Sequence, residues 1–195
     1  MNWIQHPITL TGNKVVLVPL DSSHFPALLE IARQESIWEF MAIDGSPDKL
    51  LLELKAALLN RASGDQYPFA IIDRLKGNVI GTTRLMNIFH EHKKLEIGWT
   101  WYNPEYWGTG YNTECKLLLL TYCFETLAAV RVQLVAGEKN MRSRNAILKI
   151  GATYEGTMRK ERARPDGTYR NTVMHSIIDD EWPDRKRKLE EMCKK

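Results

Sequence analysis

The sequence predicts an α/β (α+β) fold, in which flanking helices cover a mixed central sheet of about seven strands. Three observations predict it. A β-branched run opens the chain, runs with a strand-like period fill residues 67–100, and a strand, a helix and a second strand then form a crossover unit. In chain order the predicted elements are β, α, α, β, β, β, α, β, α, β and β. We expect a single domain over residues 1–195, with its core at about 10–178 and a charged tail at 180–195.

The composition is typical of an ordinary globular protein. Hydrophobic residues make up 44% of the chain and charged residues 26%, which excludes a disordered chain. The longest apolar run, residues 117–120, falls far short of the about 20 residues that cross a bilayer, and the N-terminal residues lack the features of a secretion signal. We therefore expect a cytoplasmic protein that has no membrane partner.

Cysteine and charge patterns narrow the possible ligands. The three cysteines have no CxxC spacing, so the sequence predicts reduced thiols and neither disulfides nor a metal site. The formal net charge is only +3, and the basic excess lies mainly between Lys139 and Arg170. This excess suits an anionic, phosphate-bearing ligand, but it is too small to predict nucleic-acid binding.

The first elements are a strand and two helices. Residues 14–19 read KVVLVP, a β-branched run that predicts the opening strand and ends at a proline. Asp21 offers an N-cap to a helix in which Leu28 and Ile31 have helical spacing. A second helix is predicted over 47–59.

An antiparallel meander and a crossover come next. Residues 68–73, 79–88 and 95–101 predict three strands, the first two joined by a turn at 76–78. A glycine-containing loop at 107–110 then precedes a long apolar helix at 111–127 and a strand at 130–136.

The chain closes with a helix and a hairpin. The helix is predicted over 140–150 and ends at Gly151, while residues 152–163 and 170–179 predict two strands joined by a turn at 165–167. Residues 184–195 are interpreted as a surface helix of mixed charge in contact with solvent.

The segment around the glycine loop can build an anion site. Gly108 and Gly110 can adopt positive φ, and the first amides of the following helix present unpaired N–H groups that the helix dipole supports. A pyrophosphate fits such a site. The same pattern is equally typical of a tight turn, and the third glycine of a dinucleotide fingerprint and the Gly-Lys-Ser/Thr of a Walker loop are both missing.

These residues resemble a known family. The run YWGTGYNTE is similar to the loop signature of the GNAT N-acetyltransferases, in particular the RimJ/RimL-like branch, the ribosomal-protein alanine N-acetyltransferase type. The match extends to IGWTW before the loop and to NMRSRNAILKIGA after the next strand. The resemblance implies the GNAT acyl-CoA N-acyltransferase fold, whose parallel fourth and fifth strands splay apart around acetyl-CoA, the co-substrate.

The resemblance also implies the residues that bind acetyl-CoA. The backbone of residues 99–101 would hold the pantetheine arm and polarise the thioester carbonyl, and residues 107–113 would hold the pyrophosphate. Asn140 and Ser143 match a cofactor-contacting Asn-x-x-Ser, with helix capping as the structural alternative. The implied set is Trp99, Thr100, Trp101, Trp107, Gly108, Thr109, Gly110, Tyr111, Asn112, Thr113, Asn140 and Ser143. Trp107 and Asn112 depart from the superfamily pattern, which often has Gln or Arg and then Gly or Ala there.

Catalysis needs a base for the amine and an acid for the leaving thiolate. Glu96 is the predicted base, because strand alternation puts it on one face with Gly98 and Thr100. The structural alternative for Glu96 is an exposed ion pair, and the polar run at 90–92 is a reserve. By resemblance Ser143 is the predicted acid, with a water molecule as the alternative, since Ile147 stands where many relatives have a tyrosine. Direct transfer in a ternary complex is favoured over an acetylated cysteine, since Cys115 and Cys123 are predicted to be buried.

The acceptor pocket is indicated by resemblance alone. By resemblance, residues 36–45 shape the acceptor pocket, which makes Trp38, Glu39 and Met41 the predicted substrate-binding residues. We expect an N-acetyltransferase that acts on a primary amine, such as a protein N-terminal α-amino group. A small amine (antibiotic, peptide toxin or polyamine) and a non-catalytic acyl-CoA-binding module remain alternatives. Relatives often form homodimers, although no residue here indicates an interface.

Overall fold

One mixed sheet organises the protein in the computed structural model, which describes residues 3–41, 43 and 45–194. Within these residues the sheet has eight strands: β1 (Leu10–Thr11), β2 (Val15–Pro19), β3 (Tyr67–Asp73), β4 (Val79–Phe89), β5 (Lys94–Tyr102), β6 (Arg131–Gly137), β7 (Thr153–Ala163) and β8 (Tyr169–Ile178). Their spatial order is β1-β2-β3-β4-β5-β6-β8-β7. The strand beyond the predicted seven is β1, whose two residues are too short to produce an alternating pattern.

The described part of the chain also has five α-helices: α1 (Phe25–Ile31), α2 (Pro47–Ser63), α3 (Tyr111–Thr121), α4 (Met141–Lys149) and α5 (Trp182–Cys193). Asp21 caps the turn before α1, as predicted, and accepts hydrogen bonds from the N–H and Oγ of Ser23. The long helix predicted over 111–127 ends earlier, because the chain changes to a π-helical turn at Tyr122–Thr126. No helix in the described part combines the length and apolar character needed to span a bilayer.

The sheet separates two apolar cores. Alternate residues of β3 show the division, because Phe69 and Ile71 pack with α3 and α5 on one face, while Ala70 packs with α1 and α2 on the other. Leu119 of α3 and Leu54 of α2 are fully buried on their respective faces. Burying a side chain of this size stabilises the fold by roughly 1.5–3 kcal/mol.

The parallel strands β5 and β6 separate along their length. They pair only from Lys94 to Glu96 against Arg131 to Gln133. Beyond this point β5 continues to pair with β4, whereas β6 pairs with β8 up to Gly137. The result is a wedge-shaped opening in the middle of the sheet, which confirms the predicted splayed pair.

A β-bulge in β5 reverses the side-chain alternation. Trp99 has φ of 52°, and the register with β4 shifts between Thr82 and Arg84. Gly98 shares the face of Glu96 as predicted, since a Cβ on it would lie 3.0 Å from Glu96 Oε1. The prediction that Thr100 shares this face is wrong, because after the extra residue Thr100 turns to the α3 side, where its Oγ1 accepts a hydrogen bond from Lys116 at 2.7 Å.

The C-terminal helix is part of the core. Trp182 is 5% exposed, stacks on Phe124 with ring centroids 5.2 Å apart, and donates from Nε1 to Glu125 at 2.8 Å. Leu189 is also buried. The interpretation of the tail as a helix in solvent is therefore wrong for one of its faces, since the predicted segment began at residue 184 and left out the tryptophan that anchors it.

Glu114 of the glycine-loop motif joins α3 to the first hairpin. Its carboxylate accepts three backbone N–H groups, those of Asn13, Lys14 and Val15, at 2.7–2.8 Å. Gly12 lies so close that a Cβ there would come within 2.6 Å of the carboxyl group. Glu114 thus fixes the start of α3, and with it the glycine loop, against the edge of the sheet.

Candidate active site

A cavity of about 390 Å³ fills the wedge between β5 and β6. It brings together residues from β5, the glycine loop, α3 and α4 that lie far apart in the sequence. Of the predicted site residues, the following line it: Met41, Glu96, Trp99, Thr100, Trp101, Trp107, Gly108, Gly110, Asn112, Thr113, Asn140 and Ser143. A cavity of this size falls in the range of small-molecule sites.

One end of the cavity is the open N-terminus of α3. Gly108 and Gly110 have φ of 76° and 89°, and Gly110 is the N-cap, which has no side chain to bond the first amides. The first intrahelical bond runs from the N–H of Glu114 to the carbonyl of Gly110. The N–H groups of residues 111–113 precede this bond, so the helix end can donate to an anion.

Two predicted cofactor residues have structural side chains. The Oγ1 of Thr109 donates to the carbonyl of Tyr106 at 2.6 Å. The hydroxyl of Tyr111 donates to Asp73 at 3.2 Å, and its ring packs edge-on against Tyr106. Neither Thr109 nor Tyr111 lines the cavity, so any role that they have in binding would come from their backbone.

The ring of Trp107, which departs from the family pattern, packs against an arginine side chain in a cation–π contact. The guanidinium of Arg142 lies 3.5 Å from the centre of the Trp107 ring, and Arg142 also lines the cavity. Asn112, the second departure, has a buried Oδ1 without a hydrogen-bond partner among the described residues. The two departures therefore place polar groups beside the open helix end.

The middle of the cavity is formed by the bulge in β5. A bulky residue at positive φ costs of the order of 1–3 kcal/mol, and Trp99 is held there by the guanidinium of Arg84, 4.0 Å from its ring. Burial lowers the pKa of Arg84 to about 10. Backbone strain of this kind is concentrated at binding and catalytic sites, because it aims groups that a regular strand would keep paired.

Glu96 lies beside the bulge and is buried, with 3% of its surface exposed. Its Oε2 accepts hydrogen bonds from Asn87 Nδ2 at 2.9 Å and Gln133 Nε2 at 3.0 Å. Its Oε1 accepts no hydrogen bond from any residue that the structure describes. The alternative of an exposed ion pair is wrong, because neutral amides from β4 and β6 hold this carboxylate at the cavity wall.

Asn140 and Ser143 lie on the opposite wall of the wedge. The Oδ1 of Asn140 accepts the backbone N–H of Ser143 at 2.9 Å and so caps α4. The structural alternative for Asn140 is therefore present in the fold, although both residues line the cavity as well. Ile147 is buried one turn further along α4 and also lines the cavity.

A family model described as an acetyltransferase (GNAT) domain matches residues 14–153. The chain belongs to the GNAT acetyltransferase family. It is therefore an acetyltransferase, and the resemblance carried by the run YWGTGYNTE is confirmed.

The relatives of this GNAT chain match it over 56% to 96% of its length. YnaD of Bacillus subtilis (strain 168), an uncharacterized N-acetyltransferase, is 26% identical over 89% of this chain and 98% of YnaD. YdaF of the same organism, provisionally named a ribosomal N-acetyltransferase, is 33% identical over 56% of this chain and 59% of YdaF. A crystal structure from T. thermophilus, provisionally described as an acetyltransferase, is 33% identical with a TM-score of 0.85 and covers 96% and 98% of the two chains. The similarity to YdaF supports the RimJ/RimL-like resemblance.

A buried lysine is the site residue that sequence reasoning missed most clearly. Lys116 of the GNAT chain is 6% exposed, lines the cavity, and donates from Nζ to Thr100 Oγ1. Burial lowers its pKa, and no carboxylate forms a salt bridge with it among the described residues. Lysine inside the apolar helix predicted at 111–127 was the available signal, since a cation at such a position usually has a function.

The predicted acceptor residues differ in their positions. Met41 lines the cavity, whereas Trp38 does not. The ring of Trp38 packs against Trp101, and the Nε1 of Trp38 donates a hydrogen bond to the carbonyl of Ala32 at 2.7 Å. Glu39 is exposed and interacts electrostatically with Arg142. Of the same predicted segment, Ala42 and Asp44 lie outside the described residues. Ile37, Phe40 and Ile43 of the same segment also line the cavity, as do Arg162 and Arg170. We call this region the acceptor end, after the role predicted for the segment.

The reserve groups lie elsewhere or are unreactive. His90 stacks on Trp3 at 5.5 Å, and none of residues 90–92 lines the GNAT cavity. Cys115 and Cys123 are fully buried, and burial raises the pKa of both thiols. A thiol whose pKa is raised is a poor nucleophile, so the geometry favours the predicted buried, inert cysteines over an acetylated intermediate.

The charge of the cavity is strongly one-sided. Among the described residues that line it, Glu96 is the single carboxylate, while the cations are Lys116, Arg142, Lys149, Arg162 and Arg170. A cleft lined by one sign of charge attracts ligands of the opposite sign. The GNAT site is therefore suited to anionic ligands, with one isolated carboxylate that can accept a proton.

Proposed function

We propose that this protein transfers the acetyl group of acetyl-CoA to a primary amine by direct attack in a ternary complex. The observation that carries the proposal is the single cavity in which the open N-terminus of α3 and the half-satisfied carboxylate of Glu96 meet across the split between β5 and β6. A phosphate-binding helix end and a proton acceptor in one wedge are what the two substrates of this reaction require.

The residues present fit acetyl-CoA. The free N–H groups of residues 111–113 and the cations Arg142 and Lys149 suit its phosphates. The edges of β5 and β6 beyond Gln133 leave their mutual ladder, so main-chain groups are available to an amide-containing arm such as pantetheine. We propose that Trp99 to Trp101, Asn140 and the loop 107–113 have the roles in acetyl-CoA binding that the resemblance implies.

Glu96 and Ser143 would handle the protons. Glu96 Oε1 accepts a proton from the bound ammonium, directly or through a water molecule, which makes the nitrogen nucleophilic. The carbon–nitrogen bond then forms as the carbon–sulfur bond of the thioester breaks, and the nitrogen releases its second proton to solvent. Ser143 donates a proton to the sulfur and regains one from solvent. Asn87 and Gln133 act as positioning residues, because they fix Oε2 and so direct Oε1 towards the cavity.

The acceptor that we propose is an α-amino group, such as a protein N-terminus. YdaF, 33% identical over part of its length, is provisionally named a ribosomal N-acetyltransferase, which supports this acceptor class. The pocket contains a single lining carboxylate among the described residues, so it offers little to a polyamine.

Release of free CoA thiol from acetyl-CoA, measured against a panel of primary amines, tests the proposal. We expect turnover with at least one α-amine, and loss of about 10²–10⁴-fold in kcat for Glu96→Gln while acetyl-CoA binding is unchanged. The matched control is Glu91→Gln, an exposed glutamate outside the cavity, which should retain full activity. Full activity of Glu96→Gln, or thiol release with no amine at all, would contradict the proposal.

A further inference from the structure

Two arginines face each other at the acceptor end of the cavity. Arg162 of β7 and Arg170 of β8 are directly paired in the sheet register, and both line the cavity. The register shift between Met158 and Arg162, next to Lys160 at φ of 50°, brings Arg162 opposite Arg170. Like charges directly opposite each other destabilise a sheet, so the pair calls for a counter-charge.

The protein supplies only part of that counter-charge. Nε of Arg162 forms a salt bridge with Glu161 at 3.1 Å. Arg170 has weaker and neutral contacts, from Nη1 to the carbonyl of Phe40 at 3.5 Å and from Nη2 to Thr172 Oγ1 at 3.3 Å. Its Nε is buried without a partner among the described residues.

Burial and the neighbouring charge act on the same guanidinium. The pKa of Arg170 is lowered, first by burial and then by the charge of Arg162, while Glu161 and Glu96 oppose the shift. A buried arginine beside a like charge is stabilised by an anion that accepts hydrogen bonds from its free N–H groups in a planar, bidentate geometry.

The position of Arg170 links it to the acceptor and not to the phosphates. It lies in β8 against Gly137, where a Cβ would come within 3.0 Å of Arg170 Cδ, and it is close enough to Glu96 for the two charges to interact. The open helix end of α3, which suits the phosphates, is formed by other residues at the glycine loop. Half-buried Phe40, Met41 and Ile43 line the same region.

We propose that Arg170, with Arg162 beside it, binds a carboxylate on the acceptor, so that the substrate is an amine that also carries a nearby negative charge and an apolar part. The inference rests on the proposed function, since it names the substrate class for the same cavity. The carboxylate could belong to a free amino acid or to an acidic side chain next to the N-terminal amine of a peptide. Polyamines are excluded by the same charges.

Matched pairs of acceptors test the proposal by kcat/KM. One pair is phenylalanine and phenylalaninamide, and the other is a peptide beginning Ser-Glu and its Ser-Gln counterpart. We expect the acid of at least one pair to be preferred by about 10-fold or more, and the pair that shows it identifies the source of the carboxylate. Arg170→Gln should remove that preference by lowering kcat/KM for the acid by about the same factor of 10 or more, with the neutral acceptor and the KM for acetyl-CoA unchanged.

Two further variants complete the design. Arg159→Gln removes an exposed charge from the same strand outside the cavity and should leave the preference intact. Because Arg170→Gln relieves a like-charge pair, we expect it to remain folded by thermal unfolding; if it does not, Arg162→Gln carries the test with the same expected loss of preference.

The outcomes separate this inference from the proposed function. Turnover that is equal for both members of each pair, or a preference that survives in Arg170→Gln and Arg162→Gln, overturns the carboxylate site while leaving the acetyltransferase intact. A raised KM for acetyl-CoA in Arg170→Gln, with the preference unchanged, would assign the arginines to the co-substrate and also overturn it. Absence of turnover on every amine contradicts the proposed function and this inference together.

Discussion

At the scale of single residues, Lys116 is the most unusual group in the fold. Its ammonium group can donate three hydrogen bonds, and the described residues accept one of them, through Thr100 Oγ1. Removing such a charge from water costs several kcal/mol that one neutral hydrogen bond does not offset. The residue therefore lowers the stability of the ligand-free protein, which is understandable if its remaining N–H groups serve a ligand in the cavity.

We predict that Lys116→Met stabilises the ligand-free protein by about 1 kcal/mol or more and weakens acetyl-CoA binding at least about 10-fold. Because burial lowers the pKa of Lys116 below the ordinary 10.5, the stability difference should be complete at neutral pH and should shrink as the pH rises towards 10.5. Urea unfolding over this pH range and calorimetric titration with acetyl-CoA measure both effects.

Lys188→Met is the control for this substitution. Lys188 is exposed on α5, so the same change of side chain should alter neither stability nor binding by a measurable amount. Lower stability of Lys116→Met at neutral pH, or unchanged affinity for acetyl-CoA, would contradict the interpretation of Lys116 as a group held for the ligand.

The sequence identifies site residues that belong to a motif or lie close to one, but not those that reach the site through the pairing of distant strands. Glu96 could be predicted because it stands close to the loop motif and has a chemistry that the reaction needs. Asn87 and Gln133, which hold its Oε2, are separated from it by 9 and 37 positions and belong to no motif. Arg170 was not predicted either, because its place in the cavity depends on strand register and on a bulge, which single-sequence patterns do not contain.

At the scale of elements, the bulges explain most differences between prediction and structure. The strands of the meander were predicted nearly to the residue, because the turn at 76–78 and the polar run at 90–94 mark their ends. Trp99 and Lys160 adopt positive φ at points of their strands where the sequence has no glycine. Neither the change of face in β5 nor the register shift in β7 could therefore be predicted. The π-helical turn after α3 likewise has no marker such as a glycine or proline within Tyr122–Thr126.

One ion pair joins three strands at the edge of the sheet. Arg131 of β6 forms a bidentate pair with Glu155 of β7. Strand β8 lies between these two strands, and the Oγ of its Ser176 donates a hydrogen bond to the Glu155 carboxylate at 2.6 Å. The hydrogen bonds from Arg131 contribute most to lowering the pKa of Glu155 to about 2. The side chain of Glu155 is 36% exposed, so solvent screening limits the net stabilisation.

We predict that Glu155→Gln lowers the free energy of unfolding at pH 7 by up to about 1 kcal/mol. A carboxylate whose pKa is depressed in the folded state contributes stability above its ordinary pKa of 4.5, and the contribution is lost as the pH falls towards about 2. The difference between variant and wild type in urea unfolding should therefore shrink over that window.

Glu30→Gln serves as the control here. Glu30 pairs with Arg33 in a highly exposed i, i+3 contact and should contribute nothing measurable at either end of the window. If the free energies of unfolding of Glu155→Gln and the wild type differ by the same amount at pH 4.5 and at pH 2, the charge of the carboxylate is not the cause of the difference.

At the scale of the whole molecule, α5 completes the core on one side of the sheet. It packs against α3, whose N-terminus forms one end of the cavity, and Trp182 fills the space beside Phe124. The sequence predicted a helix here but not its burial, because the few apolar residues of this strongly charged segment, Trp182, Leu189 and Met192, give a weak signal.

We predict that Trp182→Ala lowers the free energy of unfolding by about 3 kcal/mol, since it removes a buried indole and leaves Glu125 without one of its donors. Leu75→Ala is the control, because Leu75 is 86% exposed and should change stability by less than about 0.5 kcal/mol. Urea unfolding followed by tryptophan fluorescence and far-UV circular dichroism measures both. Equal losses in the two variants would mean that α5 does not pack as described.

The central claim is that acetyl-CoA binds in the wedge between β5 and β6, at one end of which the N-terminus of α3 presents unpaired N–H groups. A crystal structure of the protein with CoA tests it most directly. We expect the diphosphate within hydrogen-bond distance of the N–H groups of residues 111–113 and the pantetheine arm between β5 and β6, with its sulfur near Ser143. CoA bound at another surface, or a diphosphate that makes no contact with these amides, would contradict the account.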